Sequence, residues 1–274
     1  MLKNIKDWVL KLKAQFQKRI RNLERSPRLA IIQVGEVEAS NRYIRNKVKD
    51  CQEIGIEANV YHFNDNIPEG ELIDEICVIQ EHYDGIIVQL PLPPHIRSKE
   101  VLKVIDPSRD VDGFRADSKF KPATPKGIMD YLRECDFDFE GKDVVIIGRS
   151  DIVGKPLARM MTDANATVTL CHSKSNVWKH VRQADLIVCA VGKANFLNCW
   201  SIHVPVIDVG INFTEDGKLV GDAYNIEDRD VTPVPGGVGL LTRCALLDNV
   251  IAAAESATNK ARLVSNESGL PQGR

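Results

Sequence analysis

Apolar positions along this chain fall into short continuous runs separated by helical stripes. The runs "LAIIQVG" (29–35), "ANVYHF" (58–63) and "DGIIVQLPLP" (84–93) read as buried strands, with helices expected over 40–54 and "EGELIDEICVIQEH" (69–82) between them. A second series begins near residue 143: "DVVIIG", a helix across "GKPLARMMTDA", "ATVTLCH", a helix near 176–183, "ADLIVCAVG" and "VPVIDVGIN". Short buried strands alternating with helices predict parallel sheets, hence an α/β fold in two units. The segment "DPSRDVDGFRADSKFKPATPKG" (106–127), rich in Pro, Gly and Asp, reads as the connection between them. "TPVPGGVGLL" (232–241) is a further loop, followed by a helix from about Thr242 to Ala257 and a polar tail, "SNESGLPQGR", expected to fray.

One position breaks the pattern. On a helical wheel of about 100° per residue, Ile44, Val48, Cys51 and Ile54 share one side and Arg42, Arg45, Lys49 and Glu53 the other, yet Lys47 falls inside the apolar arc. Ser40 is placed to cap the start of this helix and Gly55 to end it. A lysine there either lays its stem along apolar surface with its head in water, or is an active-site lysine one turn from the ring of Tyr43. The helix alone does not decide between the two.

Composition narrows the choice. The 36 basic and 38 acidic residues nearly balance, giving a net charge of −2, so no global field recruits nucleic acid or an anionic membrane. A small-molecule partner is the expectation. Seven cysteines without a CxxC pair argue against a disulfide framework or structural zinc and for a reducing cytoplasm. The basic stretch over residues 1–25 lacks the serine of a transit peptide, has more lysine than arginine and runs almost at once into the strand-like "RLAIIQV", so it reads as a first amphipathic helix. No apolar run approaches the length of a membrane span.

The strand "DVVIIG" runs directly into "GRSDIVGKP", which sets Gly148 and Gly154 around a strand-to-helix turn. Glycine there lets backbone N–H groups approach a pyrophosphate, and the following helix N-terminus adds positive charge. The spacing departs from GxGxxG, and a structural turn explains it equally well. The next strand is more informative. An NAD site usually ends it with an acid for the ribose 2′-OH, whereas "TLCHSKS" supplies Ser173 and Lys174, with Arg149 in the turn itself. Those groups suit a 2′-phosphate, so NADP is favoured. Cys171 and His172 have no further metal ligands nearby in sequence.

Three polar features stand at strand ends or in loops. Gln89 closes an apolar strand whose prolines turn the chain out of the sheet. Asp110 and Asp112 precede Gly113, where turn chemistry alone explains Asp-Gly and only one acid need face a ligand. The loop "PVPGGVG" permits close backbone approach to a flat ligand, or is simply tight.

Taken together, "YIRNK", "DGIIVQLPLP", "DVDGF", "GRSDIVGKP", "DVGIN" and "PVPGGVG" resemble, in order and spacing, the bifunctional methylenetetrahydrofolate dehydrogenase/methenyltetrahydrofolate cyclohydrolase family, from about residue 3 to 257. The resemblance implies two α/β domains flanking a cleft: a folate-binding catalytic domain over 1–118, completed by the C-terminal helix 242–274, and a Rossmann-type, doubly wound NADP-binding domain over 119–241. A homodimer and tetrahydrofolate substrates are implied with it.

By that resemblance Tyr43 stacks on the folate, Lys47 is the catalytic lysine, Gln89 is its hydrogen-bonding partner between Val88 and Leu90, and Asp112 binds the pterin. Pro235, Gly236, Gly237, Val238 and Gly239 line the folate pocket; Gly148, Arg149, Ser150, Ser173 and Ile211 contact NADP. The implied chemistry is oxidation of 5,10-methylenetetrahydrofolate to the methenyl compound, then hydrolysis to 10-formyltetrahydrofolate with Lys47 shuttling protons, which would place Lys47 in the apolar arc because that arc faces the cleft. One-carbon supply for purine and formyl-methionine synthesis follows. Two departures stand out. Only eight residues, 114–121, separate Gly113 from Pro122, fewer than the family usually has, and Leu240-Leu241-Thr242 replaces Pro-Met-Thr.

Overall fold

The structure, a computed structural model, describes residues 2–227 and 229–268. Helix α1 (Ile5–Arg21) opens the chain and is followed by β1 (Arg28–Val34), α2 (Glu38–Ile54), β2 (Glu57–Phe63), α3 (Glu69–Gln80), β3 (Gly85–Val88) and a short α4 (Ser98–Lys103). Then come α5 (Ala123–Glu134), β4 (Asp143–Ile147), α6 (Gly154–Thr162), β5 (Thr167–Cys171), α7 (Val177–Val181) and β6 (Leu186–Cys189). The last stretch holds β7 (Leu197–Asn198), β8 (Val206–Asp208), β9 (Asn212–Phe213), β10 (Leu219–Val220), β11 (Ala223–Tyr224) and the long α8 (Val238–Ser268). Residues 269–274 of the tail lie outside the described residues.

The chain divides into two compact units, one of residues 12–121 with 246–274, the other of residues 1–11 with 122–245. These limits differ from 1–118 and 119–241 chiefly in grouping the first eleven residues with the second unit. The reason is local: Leu2 N donates to Asp230, Tyr131 Oη donates to Lys3 O at 2.5 Å, and the Trp8 ring packs 5.7 Å from that of Tyr131.

In the first unit three parallel strands run in the order β2-β1-β3. Strand β1 is buried at every position but its first and β3 at all four, which is why both read as unbroken apolar runs. Leu72, Ile76 and Ile79 recur on one face of α3 and join this core with Ile32, Val88 and Val101. Each such aliphatic side chain contributes about 1.5–3 kcal/mol on burial. Arg19 of α1 is bracketed by Asp248 and Glu255 of α8, and Lys13 bonds Asp50 of α2 at 2.7 Å.

In the second unit four parallel strands run β5-β4-β6-β8. In each sheet the first strand in sequence has later strands on both sides, so chain order reverses at β1 and at β4. A crevice opens at the carboxyl ends of strands beside such a reversal. Val145, Ile147, Ile187 and Val206 form the centre of this unit's core.

Several local expectations need correction. Helix α2 starts at Glu38 after an extended Val37, so Ser40 lies inside the helix rather than capping it. Gly55 does end it, at φ 94°, with its N–H directed to Cys51 O and Gln52 O. The connection 106–127 contains the start of α5, and α8 begins four residues before Thr242.

Candidate active site

Tyr43 and Lys47, one turn apart on α2, are both half-buried, while Ile44, Cys51 and Ile54 are buried beneath them. Gln89 follows directly on β3, and its N–H donates to Ile32 O of β1 at 2.8 Å, so sheet pairing holds the backbone from which the side chain leaves. The Gln89 Nε2 donates to Leu90 O at 2.8 Å. That contact turns Oε1 outward, where it accepts from Lys47 Nζ at 3.2 Å.

Asp110 extends the sheet by a parallel bridge to Ile86. It is 1% exposed, its Oδ2 accepts from Arg115 N at 2.8 Å, and its carbonyl accepts from Ser118 Oγ. Its role is therefore to close the turn, which leaves Asp112 as the acid available to a ligand. Val111 between them is fully buried against Gly85, where a Cβ would stand 2.7 Å from Val111 Cγ1. The Asp112 carboxyl makes no hydrogen bond among the described residues. Burial lifts its pKa above the ordinary carboxylate value, the Lys47 ammonium opposes that rise, and Asp110 adds to it. Lys47, Gln89 and Asp112 thus share one electrostatic site within a single unit.

One residue here escaped sequence reasoning. Asn249 of α8 is 3% exposed, and its Nδ2 donates to Val111 O at 2.8 Å and Lys121 O at 3.1 Å. It anchors both the Asp112 turn and the end of the shortened segment 114–121. The signal was present, since Asn249 interrupts the apolar run "CALLDNVIAAA" as Lys47 interrupts that of α2. The short segment is otherwise fastened by the Arg115–Asp117 pair at 2.8 Å and by Lys119 N to Pro107 O.

In the second unit, Gly148 ends β4 with φ 115°, and a Cβ there would lie 2.1 Å from Ala190 O at the end of β6. A Cβ on Gly154 would lie 2.0 Å from Gly148 O. Only glycine permits this close turn into α6, and in the turn Ser150 Oγ accepts from Val153 N and from Gly154 N at the helix start. The glycine cradle, the following helix and the exposed Arg149, which forms no ion pair among the described residues, fit a dinucleotide phosphate. Ser173 and Lys174 are exposed in the turn after β5, held by Ser175 Oγ accepting from His172 N and His172 Nδ1 accepting from Lys174 N. Ile211 is 40% exposed after β8. No group of His, Cys, Asp or Glu among the described residues is arranged to hold a metal ion.

The stretch expected as one loop over Pro235–Gly239 is only partly a loop. Pro235–Gly237 form a turn, with Gly236 at φ 98° and Gly237 against Pro233 O, while a buried Val238 and Gly239 already belong to α8. This stretch belongs to the second unit, whereas Tyr43, Lys47, Val88, Gln89, Leu90 and Asp112 belong to the first.

Fold and site together define a class: an α/β enzyme with a lysine–amide–acid set at one sheet's strand ends and a dinucleotide cradle at those of another. Comparison with known proteins resolves it further. Residues 3–112 match the model of the tetrahydrofolate dehydrogenase/cyclohydrolase catalytic domain and residues 122–258 that of its NAD(P)-binding domain. The chain belongs to the tetrahydrofolate dehydrogenase/cyclohydrolase family.

It is 44% identical over 256 residues to the bifunctional protein FolD of Salinibacter ruber, covering 84% of this chain and 86% of that one. The FolD protein of Bacillus licheniformis is 39% identical, covering 89% and 93%. Among solved structures, the Campylobacter jejuni bifunctional FolD matches at 41% identity with a TM-score of 0.88, over 94% of this chain and 99% of that one. The Trypanosoma brucei dehydrogenase-cyclohydrolase, complexed with NADP cofactor and inhibitor, matches at 29% identity with a TM-score of 0.87, over 94% and 98%.

Proposed function

We propose that this chain is a bifunctional folate enzyme, oxidising 5,10-methylenetetrahydrofolate to 5,10-methenyltetrahydrofolate with NADP and hydrolysing the product to 10-formyltetrahydrofolate. The observation that carries the mechanism is the Lys47 Nζ to Gln89 Oε1 contact at 3.2 Å, with Asp112 in the same electrostatic site. NADP, held by Gly148, Arg149, Ser150, Ser173 and Ile211, supplies the hydride acceptor of the first reaction. That step needs no strong base from the protein; it needs the folate positioned. Tyr43 offers a ring for stacking, and Asp112 an acceptor for the pterin amino and N–H groups.

Hydrolysis begins with water adding to the cationic methenyl carbon. The adduct must then lose both of the water's protons from oxygen, one of them released, and gain one on nitrogen as a C–N bond opens to leave the neutral formyl group. Lys47 shuttles these protons. A neutral amide orients the amine without the ion pair that would fix it as an ammonium, which is what Gln89 contributes and a glutamate would not. A homodimer in a reducing cytoplasm, feeding one-carbon units to purine synthesis, completes this reading; the seven cysteines are all free.

An absorbance trace tests the proposal. Protein with 5,10-methylenetetrahydrofolate and NADP⁺ is expected to form methenyltetrahydrofolate that decays faster than in an enzyme-free control, with little formed when NAD⁺ replaces NADP⁺. Methenyl accumulation with only spontaneous decay would remove the cyclohydrolase, and no methenyl with either nucleotide would remove the enzyme reading altogether.

A further inference from the structure

Two fully buried aspartates in the second unit carry no part of the chemistry above, yet they organise the strand ends at which the cofactor is placed. Asp222 is 0% exposed and lies in the turn before β11. Its Oδ2 accepts from Val191 N at 2.7 Å and Gly192 N at 2.9 Å; its Oδ1 accepts from Lys193 N at 2.8 Å and Asn212 Nδ2 at 2.9 Å. Three successive amides of the loop after β6 thus converge on one carboxylate, a backbone nest turned inward on a side chain.

Asp208, at the end of β8 and 3% exposed, repeats the device: Oδ1 accepts from Gly210 N and Asp222 N, and Oδ2 from Ala223 N. Thr232 Oγ1 accepts from Asp208 N at 2.8 Å. The two carboxylates are linked through the Asp222 amide. Their presence also explains two glycines, since a Cβ on Gly210 would stand 2.3 Å from Asp222 Oδ1 and one on Gly221 would stand 1.9 Å from Asp208 Oδ2.

A single buried carboxylate therefore fixes two separate loops. Val191, 38% exposed, is bonded to it directly; Ile211, 40% exposed, lies between Gly210, held by Asp208, and Asn212, held by Asp222. Val191 follows the carboxyl end of β6 and Ile211 that of β8, in the sheet whose β4 leads into the Gly148 turn packed against Ala190.

We infer that Asp222, supported by Asp208, is a positioning residue for the cofactor: it presents Val191 and Ile211 as a rigid apolar pair against NADP. The inference rests on the placement of NADP at these strand ends given above. Preorganisation of this kind lowers the ordering cost of binding. Charge-assisted hydrogen bonds are the stronger class, so their loss should be read in cofactor affinity more than in turnover.

The test is Asp222→Asn, which keeps the shape but sets an NH2 group against amide donors. The KM for NADP⁺ and its calorimetric Kd are expected to rise about tenfold or more, with kcat, the KM for methylenetetrahydrofolate and nucleotide-free methenyl hydrolysis changed by less than about twofold. Unchanged NADP⁺ affinity would overturn the inference. So would an equal loss of hydrolysis and cofactor binding in a folded protein, which would mark a general structural role. Should Asp222→Asn fail to fold, Asn212→Ala, at a half-buried position that leaves the three amide bonds intact, is expected to raise the NADP⁺ KM a few-fold, and no rise overturns the inference equally. Gly148→Ala separates the two levels: if it leaves NADP⁺ binding intact the cofactor placement itself fails, whereas loss there with no effect at Asp222 and Asn212 defeats only the positioning role.

Discussion

Lys47 donates to the side-chain oxygen of Gln89 at 3.2 Å, and among the described residues its ammonium forms no ion pair. An amine so held is oriented yet free to exchange protons. Lys47→Met, which keeps the apolar stem, is expected to lower methenyl hydrolysis on the order of 10²–10⁴-fold and to reduce hydride transfer far less. Following methenyl formation and decay in one trace separates the two. Hydrolysis at the unsubstituted rate would remove Lys47 from the chemistry.

Gln89→Glu makes the complementary change. The carboxylate would stand where Oε1 stands now and hold Lys47 as an ammonium, since a nearby opposite charge favours the charged form. The expected result is an acid-base profile for hydrolysis displaced to higher pH and a fall of about tenfold or more at neutral pH. Gln89→Leu should lose rate without that displacement. Identical profiles for the two variants would mean that the amide's neutrality is not what matters.

Asp112 provides the pH signature of folate binding. Burial raises its pKa, with the Lys47 ammonium partly offsetting the effect. In the proposed role, only the carboxylate form of Asp112 could accept from the pterin N–H groups, so the folate KM should rise as pH falls through this raised pKa. Asp112→Asn should abolish that limb and raise the KM at neutral pH by about 10–100-fold. Stability has the opposite sign. A folded-state pKa above the unfolded one means the ionised acid costs stability, a cost absent below the unfolded pKa and complete once pH exceeds the folded one. Asp112→Asn should therefore melt higher than the parent at neutral pH and lose that advantage in acid; equal melting temperatures throughout would refute the burial argument.

The strands were legible because buried parallel strands are unbroken apolar runs: β1, β3, β4 and β6 fall where the sequence puts them. Lys47 was legible because it violates a pattern otherwise kept. Helix α5 was not, since Pro122, Pro125 and Gly127 signal a loop, although proline suits a helix's first turn and Gly127 is required where a Cβ would meet Leu241 O at 2.6 Å. The early start of α8 was hidden by the glycines beside Val238. Asp208 and Asp222 were invisible as a pair because the loop between them folds back to set the Asp222 and Ala223 amides on the Asp208 carboxylate, which no residue spacing announces.

Asn249 tests how far a buried support reaches into the site. Its amide satisfies two backbone carbonyls, Val111 O beside Asp112 and Lys121 O at the end of the shortened segment. Asn249→Leu keeps the branched outline of the side chain but strips both acceptors of a donor, and an unpaired buried carbonyl costs about 1–3 kcal/mol. A loss of about 2–4 kcal/mol is expected in denaturant unfolding of the unit that contains both carbonyls. Because Val111 precedes Asp112, the folate KM should rise as the turn relaxes, while the NADP⁺ KM, governed by residues of the other unit, should not. A stability loss without any change in folate KM would confine Asn249 to the fold; a folate KM that rises alone would show that the hydrogen bonds align Asp112 without contributing to stability.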